Sequence, residues 1–212
     1  MIVIDIASDG DSVLIVGSEP SQVVRLRVHS LFLKSVSKVF AAMFGPHFRE
    51  GMAASGKQPK EILMPGDDPE AMTVLCRVIH HQYHEIPDIL QPPTVLHVAQ
   101  AADKYDCLNL LKNAKTRWLD PYPDLRMRAR LPEETQMSEL RNIDQIEHGM
   151  EYLGCLVAVA YLLDDAGAFQ ELTSILVLHC AKSYLELANE KWGGSIIPST
   201  VLCNMRASMP LL

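Results

Sequence analysis

The chain has 212 residues, 48% hydrophobic and 21% charged, the make-up of a soluble globular protein rather than a disordered, collagen-like or fibrous one. Its length is about 1.4 times the common domain size, enough for one ordinary domain with an appendage or for two small ones. With 26 acidic against 19 basic side chains the net charge is −7, so no global cationic field gathers a polyphosphate backbone and nucleic acid is not an expected partner.

The acidic excess is uneven. Residues 1–120 carry 12 basic and 14 acidic side chains, and residues 121–212 carry 7 and 12. The opening MIVIDIASDGD has no basic stretch and meets Asp5 after four residues, so no secretory signal is readable and an intracellular location, cytoplasmic or nuclear, is expected. The longest apolar run, residues 152–163, ends at Asp164 and Asp165 and falls short of the roughly 20 residues that cross a bilayer. It reads as a buried helix, and no membrane partner is expected. The cysteines (Cys76, Cys107, Cys155, Cys180, Cys203) are odd in number, form no C-x-x-C pair and sit among apolar neighbours, which predicts reduced, buried thiols.

In chain order, residues 12–17 (SVLIVG) are β-branched and apolar, and residues 22–28 alternate. Val24, Leu26 and Val28 take one face, and Val23, Arg25 and Arg27 the other. They predict a hairpin at the edge of a small sheet, with Pro20 in its turn. After His29 the period lengthens: Leu31, Phe32, Val36, Val39, Phe40, Met43 and Phe44 recur at helical intervals, and Ser37 is placed to cap the second of two short helices. Residues 45–60 are broken by Gly45, Pro46, Gly51, Gly56 and Pro59, an exposed loop. Residues 62–64 predict a third strand. Asp68 before Pro69 then starts a helix that runs to about Tyr83, with Met72, Leu75, Cys76 and Ile79 on its inner face.

Pro92 and Pro93 open a further helix through Val95, Leu96, Ala99 and Ala102, and another follows Asp106 with Leu108, Leu111 and Trp118 inward. Pro121 and Pro123 close this first domain. The polar stretch that follows, with Arg126, Arg128 and Arg130, reads as a solvated linker with room for a short helix, and after it come helices carrying Phe169, Leu172, Ile175, Leu176, Cys180 and Leu187 on one stripe, stopped by Gly193 and Gly194. The expected organisation is a domain at 9–120, a linker at 121–149 and a helical region at 150–212.

The segments that fill the order hairpin, two helices, loop, strand, helix, two helices are DSVLIV, LRVHSLFLKSVSKVFAAMF, EILMPGDDPEAMTVLCRVIHH and VLHVAQAADKYDCLNLLKNAKTRWL. Together they resemble a BTB/POZ domain, of the kind found in BTB-domain proteins common in filamentous fungi, where a helical tail also follows the domain. The resemblance implies an α+β fold, a small three-stranded sheet with a helical cluster, followed by an all-α C-terminal extension. It implies a non-enzymatic protein–protein interaction module without cofactor or metal. Many such proteins are substrate adaptors on a cullin ubiquitin ligase; the alternative is a self-associating scaffold or nuclear regulatory protein without a ligase.

Cullin-binding members carry a hydrophobic residue, any residue and a glutamate in the loop after the first helical pair, and Phe48, Arg49 and Glu50 stand there. An exposed aromatic suits an apolar groove on a partner helix while the carboxylate fixes register; the other reading has Phe48 folding onto its own core. Dimerising members carry an extra helix and strand ahead of the first strand, whereas only ten residues precede Asp11, which argues against a swapped homodimer. Members that recruit co-repressors pair an aspartate at the first strand with a base after the histidine. Asp11 fits, but Ser30 replaces the base and leaves that pocket incomplete.

Other patterns point to chemistry only weakly. Residues 51–57 have P-loop spacing, but Gln58 replaces the metal-binding hydroxyl and no apolar strand precedes Gly51. His80 and His84, one helical turn apart with His81 and Glu85 beside them, have metal-ligand spacing, though polar surface is the plainer reading. A metal- or nucleotide-dependent enzyme is therefore the weakest alternative. His29 is expected in a structural hydrogen bond. The pairs Asp67–Asp68 and Asp164–Asp165 are expected to cap helices, since adjacent helical residues point about 100° apart and cannot flank one bond. No serine has the surroundings of a nucleophile, and no catalytic residue is assigned.

Overall fold

The computed structural model describes residues 2–20, 22–45, 59–113, 118–119, 143–179 and 196–198. The chain divides into two compact units, one of residues 1–88 and 97–113, the other of 89–96 and 114–212. This division falls ahead of the expected closing prolines, Pro121 and Pro123.

The first unit is built on a mixed sheet. Strands β1 (Ile2–Asp5), β2 (Ser12–Val16), β3 (Val24–Val28) and β4 (Lys60–Met64) lie in the order β1-β3-β2-β4. The expected hairpin is β2–β3, antiparallel, with Leu14 opposite Leu26. It occupies the middle of the sheet, not the edge: β1 joins β3 in parallel and β4 joins β2 in parallel. The sheet therefore has four strands where three were expected. The extra strand, IVID, is too short and too exposed to show alternation, with Ile2 50% and Val3 63% exposed.

Alternation decides the two faces. Ile4, Leu26, Leu14 and Ile62 stand side by side in one row, and Val24, Val16 and Met64 stand in the next. Apart from half-buried Ile4, these side chains are buried, each stabilising the fold by about 2 kcal/mol. The opposite face carries Val3, Arg25, Ile15 and Leu63 in a row, with an Arg25–Glu61 ion pair across it. Two positions admit only glycine: a Cβ on Gly10 would sit 2.6 Å from the Val28 carbonyl oxygen, and Gly17 has φ +89° with the Gln22 carbonyl 2.2 Å from its Cβ position.

Helices α1 (Ser30–Val36) and α2 (Lys38–Met43) follow β3, and Ser37 caps α2 as expected, its Oγ accepting from the Phe40 amide at 2.9 Å. The same hydroxyl donates to the Tyr105 carbonyl. Helix α3 (Pro69–Ile79) starts at the expected cap: Asp68 accepts from the Ala71 amide at 2.8 Å, with Pro69 in the first turn. Met72, Leu75, Cys76 and Ile79 are buried, as its periodicity requires. The helix stops at Ile79 and not near Tyr83, because His81 takes a left-handed φ of 59° and a 3-10 turn, Tyr83–Glu85, follows.

Helix α4 (Pro92–Lys104) buries Val95, Leu96, Val98, Ala99 and Ala102. It closes with Asp106 left-handed at φ 51° and the Cys107 amide donating to the Ala102 carbonyl at 2.8 Å. The helix expected after Asp106 is a 3-10 segment, Leu108–Asn113, with Leu111 fully buried. The end of α4 ties the first unit together. The Tyr105 ring stacks on Phe40 with centroids 4.3 Å apart, and its hydroxyl donates to Asp67 at 2.8 Å. Lys104 Nζ reaches the other Asp67 oxygen at 2.6 Å. Asp67 is thus a tether to α4 and not the helix cap expected of it; Asp68 alone caps.

In the second unit, α5 (Ile143–Leu162) and α6 (Ala166–His179) form a helical hairpin. Helix α5 begins inside the stretch expected to be linker, because polar formers such as Gln145 and Glu147 do not break a helix. Residues 153–160 are buried all round, marking this part of α5 as the centre of its unit. Asp164 is left-handed at φ 53°, and Asp165 caps α6 by accepting from the Ala168 amide at 3.1 Å. On α6, Leu172 and Leu176 are buried and Phe169 and Ile175 half-buried; Cys180, Leu187, Gly193, Gly194 and the arginine run at 126–130 lie outside the described residues. No helix among the described residues is long and apolar enough to cross a membrane.

Removing the Ser37 hydroxyl deprives the Phe40 amide of its cap and the Tyr105 carbonyl of a buried donor. Ser37→Ala should cost about 2 kcal/mol, read as a lowered urea midpoint with an unchanged slope.

Candidate functional site

Phe48, Arg49 and Glu50 lie outside the described residues, as do residues 51–57 with their P-loop spacing. The residues on either side of this segment are described. The chain leaves α2 through Phe44 and Gly45, whose amide donates to the Ala42 carbonyl at 2.8 Å, and re-enters the sheet at Lys60, whose amide donates to the Asp11 carbonyl at 3.0 Å. Lys60 Nζ lies 5.7 Å from the Phe44 ring centroid, so a cation–π contact draws the two ends together.

Above the sheet, the β3–α1 junction gathers the residues singled out around His29. Asp11 reaches across from β2's start and accepts twice from Ser30, from its amide at 2.7 Å and its hydroxyl at 2.6 Å. It thereby does for α1 what a cap does, since His29 at the cap position offers no side-chain bond to the helix. Burial on its own would raise the Asp11 carboxyl; the Ser30 hydroxyl and amide, its own backbone and nearby His29 outweigh it and hold the group below the usual 3.8. Where a base would complete a co-repressor pocket, Ser30 instead closes the site from inside, with its side chain buried.

His29 makes the expected structural bond, Nε2 to Asp9 at 3.0 Å. Sequence reasoning missed a second one. His80 Nε2 accepts from the His29 backbone amide at 3.1 Å, and His80 Nδ1 donates to the Cys76 carbonyl at 2.7 Å. Both ring nitrogens are therefore spent on backbone groups, and with α3 ending at Ile79 the His80–His84 spacing is not a helical chelate. His84 pairs instead with Glu85 at 3.6 Å, and no cluster fit for a metal occurs among the described residues.

The cysteine thiols of Cys76, Cys107 and Cys155 are free and buried, and burial pushes each up to about 12, helped by Cys107, Asp106 and Glu151 respectively. None of the three is a thiolate at neutral pH. Burial likewise raises the Tyr105 hydroxyl, aided by its bond to Asp67.

The helical pair leaves part of its apolar period exposed. Leu33 and Phe40 are buried, but Leu31 is 69%, Phe32 41% and Val39 37% exposed.

The first unit is thus a mixed sheet with short helices whose polar cluster is spent on helix ends. The BTB/POZ domain family model matches residues 9–118. The chain belongs to the BTB/POZ family, whose domain is a protein–protein interaction module, generally non-enzymatic. No curated protein matches the chain.

Asp11→Ala should lower stability at neutral pH by about 1 kcal/mol, at the small end because the carboxylate is exposed. An acid held below its usual value stabilises the fold above that value, and the contribution is lost as pH falls through the lowered pKa. The gap between wild type and variant, measured by denaturant titration, should close below pH 3.8.

Proposed function

We propose that this BTB/POZ protein is a substrate adaptor that docks on a cullin ubiquitin ligase scaffold and carries no catalytic chemistry of its own. The observation that carries this reading is the Phe48, Arg49, Glu50 sequence in the segment between α2 and β4, at the place where cullin-binding members carry a hydrophobic residue, any residue and a glutamate. Phe48 fills an apolar groove on a cullin helix, and Glu50 sets its register. Residues 9–120 form the docking domain, 121–149 connect it onward, and the helical region, with α5 starting as early as Ile143, presents the target. Three unpaired, buried thiols support a reducing, intracellular setting.

The exposed Leu31, Phe32 and Val39 favour a second reading, a scaffold that self-associates through α1 and α2 without a ligase. Light scattering over a concentration series separates the two, since a strict monomer leaves self-assembly without support.

Pull-down of cullin from a native lysate tests the first. Phe48→Ala and Glu50→Ala should each cut recovery about tenfold or more. Equal recovery from wild type and variants, or none from wild type, defeats the adaptor reading.

A further inference from the structure

The β3–α1 junction stacks aromatic rings around the start of α1. Two imidazoles, His29 and His80, stack with centroids 6.3 Å apart, and the Phe32 ring stands edge-on to both, 5.6 Å from His29 and 5.2 Å from His80. Phe32 belongs to the exposed apolar side of α1, so these two rings support one of the side chains that a partner would meet. The amide of His29 is the last before α1, and its carbonyl accepts from the Phe32 amide at 3.2 Å in the first turn of that helix. Whatever holds His29 also holds the start of α1.

What holds it is His80, in one protonation state only. The His29 amide has a hydrogen to give, so His80 Nε2 must present a lone pair; the Cys76 carbonyl has none to give, so His80 Nδ1 must carry the hydrogen. The neutral Nδ1–H tautomer satisfies both. A second proton on Nε2 would set two N–H groups against each other.

We propose that His80 is a proton-operated latch: neutral, it fastens the His29 amide, and protonated, it releases that amide and with it the seat of Phe32. The groups around it oppose protonation. Burial comes first; the bond to the Cys76 carbonyl, next in size, works against it, and the neighbouring His29 and His81 add to burial, so His80 sits below the usual 6.5. The acids of the junction are turned to other groups: Asp9 bonds His29, and Asp11 bonds Ser30.

A histidine held below 6.5 stabilises the closed state above that value, and the contribution is lost as pH falls from 6.5 to the lowered pKa. Across that window the released form gains up to about tenfold per pH unit. The release is local. Asp11, itself held below 3.8, still grips Ser30 as the pH falls below 6.5, so the helix stays docked and the loosening is confined to the His29 amide and the seat of Phe32.

The test is an NMR titration of the full chain from about pH 8 to about pH 4.5. The His80 ring resonances should titrate with a midpoint below 6.5, the His29 amide proton should move with the same midpoint, and amide exchange protection at His29 and Phe32 should fall by up to about tenfold per pH unit below 6.5. His80→Gln offers an uncharged acceptor near the position of Nε2 and should abolish the step. A His80 midpoint at or above 6.5, a His29 amide indifferent to His80, or a step that His29→Gln removes would overturn the latch. Should His80→Gln not fold, the wild-type co-titration decides alone.

Discussion

The first unit depends on Tyr105 being held at three points. Its ring lies flat on Phe40, its hydroxyl donates to Asp67, and its carbonyl takes the Ser37 hydroxyl. These contacts join the end of α4 to the α1–α2 pair and to the turn between β4 and α3, pieces that local propensity would not bring together. The helices of this unit are short, and α1 and α2 have only seven and six residues. Helices of that length are not stable by themselves. Their persistence comes from what pins their ends: Ser37 and Tyr105 at the α1–α2 corner, and Asp11 and His80 at the start of α1.

Much of this architecture was legible in the sequence because it follows from local pattern. The alternation at Val24, Leu26 and Val28, the cap at Ser37 and the Asp68–Pro69 helix start each rest on neighbours within a few positions, and each stands where it was expected. What escaped was set by distance along the chain. Strand β1 is four residues with little buried surface, and it is a strand only because β3 lies beside it. The partners of His80 and Asp67 stand 51 and 38 residues away, so their histidine and carboxylate chemistry could be named but not placed.

The candidate site divides in the same way. The hydrophobic-x-glutamate sequence at Phe48 to Glu50 was readable as a word, whereas the exposure of Leu31, Phe32 and Val39 was not, because an apolar period is the same whether a helix faces its own core or another protein. The histidines carried the opposite lesson. Their spacing spoke for metal, yet a single left-handed residue, His81, ends the helix and turns His80 into a backbone acceptor.

The pairing order of the sheet also has a consequence for how the chain assembles. The β2–β3 hairpin closes within a few residues, so it can form as soon as that stretch has emerged from a ribosome. Strand β4 is different: Ile62 meets Leu14 only after α1, α2 and the residues between α2 and β4 have been synthesised. A nascent chain halted before that point would present β2 with one edge bare and Leu14 and Val16 partly uncovered, which is the stage at which a chaperone has something to hold.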